Sequence, residues 1–400
     1  MKKTLIAFAA LSAIAGMAQA QSTVTLYGLL DGNLQSLKTN VISGGTIQSL
    51  TQARIDSGGL NGSRFGMRIN EDLGGGLSAI GNLEAGFSLD TGASGAGGGT
   101  YGVAGAAPLF GRRANVGLSG GFGTVTIGRN SSSYDDVSAD HTMMEQTIFD
   151  PTNVNNGVST LGTPLRNASV ALAAPGGLTA ANISAFNSAS VGLLSRNTTW
   201  LGYATRHNNS VKYISPNFGG FTGSLMYGLG EDKTNTVGAS RMISANLKYA
   251  NGPLLISGGY QSEGTTRTAS TSPSLDNALI SAAYDLGVAK IGAGYNVAKY
   301  KDVAPGVSLD AQKEYSLSVA VPFGATVVSA AYGRSRGNDF GTSTGLGIQA
   351  LYSLSKRTTL YAGAQSTKNY DKLANVVTLI NPGSSIGKTQ TYGVGVRHRF

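Results

Sequence analysis

The side chains best suited to acid–base or metal chemistry gather in one stretch: Asp135, Asp136, Asp140, Glu145 and Asp150. Neighbouring carboxylates can work as general acid and base, and clustered oxygens can hold Ca²⁺. The spacing here lacks the alternating D-x-D-x-D-G of a calcium loop. The histidines, His141, His207 and His398, are far apart in the chain. His207 stands between Arg206 and Asn208 with no nucleophile elbow or acid partner beside it. There is no Cys, which removes thiol catalysis and thiolate-bound metal. Glycine strings such as Gly95-Ala96-Gly97-Gly98-Gly99 precede no helical pattern and read as flexible loop, not as a phosphate cradle. No catalytic constellation, metal site or cofactor emerges. The charges therefore ask to be explained by where the chain places them.

The elements that must place them are strands. At the end of the chain, Tyr392, Val394, Val396 and Phe400 share one parity, and Gly393, Gly395, Arg397 and Arg399 share the other. A strand points successive side chains to opposite faces. In a transmembrane barrel the oily face meets lipid and the polar face meets a water-filled lumen. The pattern recurs. Phe65, Met67 and Ile69 oppose Arg64, Gly66, Arg68 and Asn70; Ala114, Val116 and Leu118 oppose Asn115, Gly117 and Ser119. Ile243, Ala245, Leu247 and Tyr249 oppose Ser244, Asn246 and Lys248. About sixteen such segments follow one another, of roughly the nine to eleven residues that cross a bilayer when tilted. Short turns at 71–76, 120–123, 216–220, 251–253, 286–288, 322–325 and 355–357 alternate with long polar loops. The expectation is an all-β protein: a transmembrane antiparallel β-barrel with short periplasmic turns and long extracellular loops. The Ser/Thr/Gly-rich stretch after the first strand, to about Gln52, reads as loop, and 131–198 reads as one long loop without a strand pair. Tyr213, Tyr227, Tyr249, Tyr284, Tyr332 and Tyr352 read as strand ends beside turns, the position of an interfacial aromatic girdle.

Met1-Lys2-Lys3, the apolar run 5–17 and Ala18-Gln19-Ala20 have the form of a cleaved signal peptide over 1–20, so the mature barrel is expected over 21–400. No other apolar run is long enough for a membrane helix. Formal charge is +9; without Lys2 and Lys3, 28 basic residues stand against 21 acidic ones, a net +7. The bases are scattered with no basic block, so nucleic acid is not an expected partner.

Taken in order, several stretches resemble the trimeric, sixteen-stranded general porins of Gram-negative bacteria, in the branch common in beta-proteobacteria. They are Val24-Thr25-Leu26-Tyr27-Gly28, Gly62-Ser63-Arg64-Phe65-Gly66 through Glu71-Asp72-Leu73-Gly74-Gly75-Gly76-Leu77, and Arg112-Arg113-Ala114-Asn115-Val116-Gly117-Leu118. Phe122-Gly123-Thr124-Val125, Asn209-Ser210-Val211-Lys212-Tyr213, Ser215-Pro216-Asn217-Phe218-Gly219-Gly220 and the terminal Val394 to Phe400 continue the match. The resemblance implies a general diffusion channel in the outer membrane for small hydrophilic solutes and ions. It also implies a homotrimer set in outer-membrane lipid and lipopolysaccharide. It further implies a third loop folded into the pore against a basic wall at Arg64, Arg112, Arg113 and Arg206. Parity also turns Arg64 and Arg206 inward. For the adjacent pair, parity favours Arg113 while the family match falls on Arg112, and both stay open. The acids Asp135, Asp136, Asp140 and Glu145 would form the opposing side of the pore. Tyr392, Val394, Val396 and Phe400 would be the signal read by the outer-membrane assembly machinery. Weak anion preference is expected. The alternatives are a substrate-specific channel, or an outer-membrane enzyme or adhesin.

Overall fold

The computed structural model describes residues 22–43, 46–94, 100–101, 108–153, 198–264, 267, 269, 272–302, 308–371 and 385–400. The strands are β1 (Thr23–Ser43), β2 (Thr46–Ser57), β3 (Arg64–Gly74), β4 (Leu77–Gly86), β5 (Thr100–Tyr101) and β6 (Arg113–Gly120). They continue with β7 (Gly123–Ser131), β8 (Arg206–Ile214), β9 (Phe221–Leu229), β10 (Arg241–Asn251), β11 (Leu254–Gly264) and β12 (Ser274–Asp285). The last are β13 (Lys290–Lys301), β14 (Gln312–Phe323), β15 (Thr326–Gly337), β16 (Gly341–Ser353), β17 (Thr358–Lys368) and β18 (Ser385–Arg399).

All 18 strands form one sheet, which closes where β1 pairs antiparallel with β18. β5 is a two-residue piece laid parallel to β8, and β2 and β3 succeed one another along the same edge of β1. Sixteen staves therefore make the ring. A closed ring satisfies every interior backbone group within the ladder and leaves no edge, the only way a sheet can cross hydrocarbon. The closure is fastened at the chain's end. Gly28 and Phe400 exchange backbone hydrogen bonds of 3.1 and 3.0 Å, and the Phe400 ring lies over the face of Gly28 that has no side chain.

Alternation sorts the two faces as the sequence predicts. Leu26, Leu247, Ile280, Leu317, Leu346 and Val394 are exposed outward, Leu26 by as much as 71%. Such a continuous apolar exterior has no place in water and is the normal boundary with lipid. On the inner face Ser244, Asn277, Ser318, Gln349 and Thr391 are buried. Tyr213, Tyr249, Tyr284 and Tyr352 stand beside short turns, as expected. Tyr227 is at the opposite strand end, and Tyr332 sits in the middle of β15, not at a strand end. β-propensity and the outward apolar parity account for it without a girdle.

One expected loop is a strand pair. The polar stretch after Asp31 continues β1 to Ser43 and returns as β2 in regular register from Ser43↔Thr46 to Gly32↔Ser57. Ser/Thr-rich composition hides it, because backbone pairing alone carries this hairpin and little apolar alternation advertises it. Not every outer connection is long: β15 and β16 are joined by only 338–340. The expected signal peptide (1–20) and most of the expected third loop (154–197) lie outside the described residues.

Candidate functional site

The barrel is not an empty tube. The first part of the third loop, 132–153, and its returning end, 198–205, run along the inner wall of β10 to β18. Tyr134 donates its backbone N–H to Ser244 Oγ (2.7 Å) and its hydroxyl to Asn296 Oδ1 (3.0 Å). Ser316 Oγ and His141 Nδ1 are 2.8 Å apart, and Met143 N–H reaches Ser318 Oγ at 2.9 Å. Thr147 donates to Gln349 (2.6 Å), and the Trp200 indole N–H donates to the Tyr315 carbonyl (3.2 Å). Between these bonds lies a dry core. Met144, Phe149, Leu60 and Tyr361 form one cluster; Tyr134, Trp200, Tyr203 and Leu279 form another, with His141 stacked on Trp200 at 4.4 Å.

The wall is shaped to receive the loop. A Cβ on Gly294 would lie 2.6 Å from the Cβ of His141, and one on Gly363 would lie 2.5 Å from the Phe149 ring. The small inward residues of β13 and β17 thus exist for close approach of the loop as well as for a wide lumen. The same holds near the loop's base, where residues 58–63 interrupt the edge shared by β2 and β3 and turn inward. Asp31, fully buried on β1, accepts the backbone N–H groups of Gly59, Leu60 and Asn61 at 2.8–3.0 Å and the Tyr361 hydroxyl at 2.6 Å. This clasp presents Leu60 to Met144 and Phe149, and Gly59 accepts the N–H of Ile148 at 2.9 Å.

Across the lumen, strand register builds a basic wall. Tyr27, Gly66, Glu84 and Arg113 lie directly opposite one another across β1, β3, β4 and β6. Because Gly66 has no side chain, the Tyr27 hydroxyl reaches past it to Glu84 Oε2 at 2.7 Å. The next row on this face holds Thr25, Arg68, Asn82 and Asn115, and the Arg68 guanidinium lies 4.3 Å from the centre of the Tyr27 ring. Arg64 comes from the row on the other side. Arg112, one residue before β6, turns onto Glu84 in a 2.6 Å ion pair. Sequence parity and family match pointed to different members of the adjacent pair. Arg112 holds Glu84, and Arg113, exposed, lies opposite Glu84 in the row. Among the described residues no carboxylate lies within ion-pair distance of Arg64, Arg68 or Arg113. Arg206, at the start of β8, is buried and donates to Thr205 Oγ1 at 3.1 Å.

The acids of the loop are placed differently from a free row facing these arginines. Asp136 is paired with Lys212 on β8, and Asp140 with Lys248 on β10 at 2.9 Å. Asp135 accepts the Tyr203 hydroxyl at 2.9 Å, and burial pushes its carboxyl above the usual range. Asp150 is fully buried, takes the hydroxyls of Thr142 (2.6 Å) and Thr152 (2.7 Å), and is pushed up for the same reason. Glu145 is exposed at the loop's turn, 3.9 Å from Arg397. The loop acids thus tie the loop to its own side of the wall. Strand parity turns Arg68, Glu84, Lys212 and Lys248 inward, but only the tertiary contacts give them, and Tyr27, their partners. The three histidines lie in separate places: His141 on Trp200, His207 against Asn208 and His398 beside Thr358. At the end of the chain Tyr392, Val394, Val396 and Phe400 are all exposed outward, 45–54%.

Comparison with known proteins bears on what such a barrel is. The chain is 29% identical to outer membrane porin protein 32 of Delftia acidovorans over the full length of both. It is 27% identical to an outer membrane porin protein of Bordetella pertussis, again over the full length of both. Among solved structures it is similar to the anion-selective porin from Comamonas acidovorans, with 25% identity and a TM-score of 0.68. That similarity covers 95% of this chain and 100% of that one. A family model described as Gram-negative porin matches residues 7–372, and with the closed barrel and its inward loop the chain belongs to that family.

Proposed function

We propose that the diffusion channel formed by this outer-membrane barrel is weakly anion-selective, and that the unequal placement of charge on its two inner sides is the cause. The observation that carries this is the fate of the acids. Asp136 and Asp140 are matched by Lys212 and Lys248, Asp135 is half-buried on the Tyr203 hydroxyl, Asp150 is buried on the hydroxyls of Thr142 and Thr152, and Glu84 is matched by Arg112. Arg64, Arg68 and Arg113 are left as the uncompensated charge of the opposite wall. Fixed charge in a narrow, wet constriction biases which ion enters, and the bias fades over a Debye length of about 8 Å at physiological salt. Solutes pass by diffusion through a hydrophilic passage between the packed loop and the charged wall. The similar porin from Comamonas acidovorans is anion-selective, which agrees in sign. The same reading takes the working unit as a homotrimer exported by a signal peptide cleaved after Ala20. It takes the outward Tyr392, Val394, Val396 and Phe400 as the strand end presented to the assembly machinery.

The test is reversal potential in a planar bilayer under a salt gradient. Arg64→Glu with Arg113→Glu should move it toward cations, most at low salt. Arg206 is the poorer choice for this test, since a buried carboxylate beside Asp135 would disturb folding. Wild-type selectivity in the double variant across the salt series refutes the assignment of these arginines to the constriction.

A further inference from the structure

The two described limbs of the third loop, 132–153 and 198–205, meet at one residue. Thr199 donates both its backbone N–H (2.7 Å) and its hydroxyl (2.9 Å) to the carbonyl of Pro151. Wall glycines seat this junction. A Cβ on Gly333 would lie 2.4 Å from Thr199 Oγ1, and one on Gly345 would lie 2.7 Å from the Pro151 Cβ. The carbonyl of Thr199 accepts the hydroxyl of Tyr370 at 2.6 Å. Two residues on, Leu201 gives its N–H to Glu314 Oε1 at 2.5 Å, and Glu314 Oε2 accepts from Asn296 at 2.7 Å.

Tyr370 belongs neither to the third loop nor to a strand. It follows β17, at the end of the barrel opposite the short turns, where other connections converge on it. Leu309 from the β13–β14 connection, Phe340 from the β15–β16 connection and Tyr370 pack against a buried cluster that holds Leu201 and Tyr300. The ring centroids of Tyr300 and Phe340 are 5.7 Å apart, and those of Phe340 and Tyr370 6.1 Å. Polar bonds zip the same connections. Asn338 donates to Asp310 at 2.6 Å, and the Thr342 N–H to Asp371 Oδ1 at 2.9 Å. The connections thus form one cap with Phe340 at its centre, and Leu201 of the third loop is part of its core. The cap and the constriction loop share contacts that neither can keep alone. The buried Thr199 carbonyl has the Tyr370 hydroxyl, and Leu201 has its apolar cover, only while the cap is closed. Leaving a buried carbonyl unpartnered costs at least as much as the bond was worth. Elements that share contacts in this way bias one another's equilibria, and the bias is reciprocal.

We propose that the cap and the constriction loop are one coupled unit, with Tyr370 as the positioning residue that transmits the state of the cap to the third loop. When the cap opens, Thr199 loses Tyr370, its hold on Pro151 weakens, and the limb carrying Met144 and Phe149 leaves the wall more often. An event at the outer mouth therefore changes the width of the constriction with no change of charge in the pore. This goes beyond the transport reading and is independent of which ion the passage prefers.

The chain contains no cysteine, so one introduced thiol reports on one place. Met144 and Thr147 are both buried on the descending limb, which makes Met144→Cys and Thr147→Cys two separate reporters. A thiol at either position reacts with a water-soluble methanethiosulfonate only when that limb leaves the wall. The labelling rate of folded oligomer is measured by mass spectrometry, with and without Tyr370→Phe or Phe340→Ala. Tyr370→Phe, which removes one oxygen, should raise the rate about tenfold, the worth of one buried hydrogen bond. Phe340→Ala, which opens the cap at its centre, should do at least as much, while mobility of the barrel on unheated gels stays as in wild type. If Phe340→Ala gives no folded oligomer, Tyr370→Phe alone decides. Equal labelling at both reporters with and without Tyr370→Phe overturns the proposal. So does a rise at Thr198→Cys on the returning limb with none at Met144→Cys or Thr147→Cys, which would make the Tyr370 contact a local one.

Discussion

Phe149 offers the sharpest test of how the loop is held. Its side chain is fully buried, its ring lies over Gly363 and Gly393, and it meets Tyr361 edge-on with centroids 6.4 Å apart. None of the barrel's ladder hydrogen bonds involves it. Phe149→Ala therefore draws its cost from the docked state of the loop and leaves the sheet intact. Truncating a buried Phe costs about 3–5 kcal/mol, and each 1.4 kcal/mol is tenfold in an equilibrium. The docked loop should lose roughly a hundredfold or more of its preference over undocked states. Single-channel records should show larger and noisier openings, and limited proteolysis should cut within 132–153, while heat-modifiable mobility of the barrel stays as in wild type. The wall supplies a compensating change. A Cβ on Gly393 would touch the tip of the Phe149 ring at 3.4 Å, with its other neighbours at 3.3 Å. Gly393→Leu alone should push the loop off, but in the Phe149→Ala background it should refill the space and restore quiet conductance. If Phe149→Ala keeps wild-type conductance, noise and protease resistance, the loop is not held by this contact. If the two changes simply add, the packing account is wrong.

Acid should loosen the same loop through His141, which burial holds at a pKa of about 4, below the ordinary 6.5 of histidine. The unfolded or undocked form takes up the proton first, so this stabilisation is complete above about pH 6.5 and is lost as pH falls toward 4, by up to about 3 kcal/mol. Asp135 and Asp150, pushed upward by burial, work in the opposite sense, since their protonation favours the packed state. His141→Phe should remove the acid-induced rise in channel noise between pH 7 and 4.5; identical pH profiles for variant and wild type would sink the idea. At the barrel seam, deletion of Phe400 removes the two backbone bonds to Gly28 and the ring that covers it. Folded oligomer in the outer membrane should fall severalfold, as read on unheated gels, and unchanged oligomer would show that the seam and its assembly role do not depend on this residue.

The barrel was legible in the sequence because a strand's two-residue period does not depend on tertiary context. Wherever one face meets hydrocarbon and the other water, the alternation is written into the residues, as in Phe65-Gly66-Met67-Arg68-Ile69 or Tyr392 to Val396. The Ser/Thr-rich β1–β2 hairpin carries little such alternation, so its sequence reads as loop although its register is regular. The lumen was less legible. Parity says that Gly294, Gly363 and Ser318 point inward, but not whether they face water or a packed loop. Only the fold, by laying His141 on Gly294 and Phe149 on Gly363, decides that part of the interior is dry. Charge behaves likewise. Residue types alone place arginines at β3 and at the start of β6 and acids on the third loop of a net basic chain. Which acid meets which base depends on contacts between residues far apart in sequence, Asp136 with Lys212 and Asp140 with Lys248. An ion pair acts over a few ångströms, so no local pattern announces it; closing the barrel and folding the loop against its wall decided which charges remain for a passing ion.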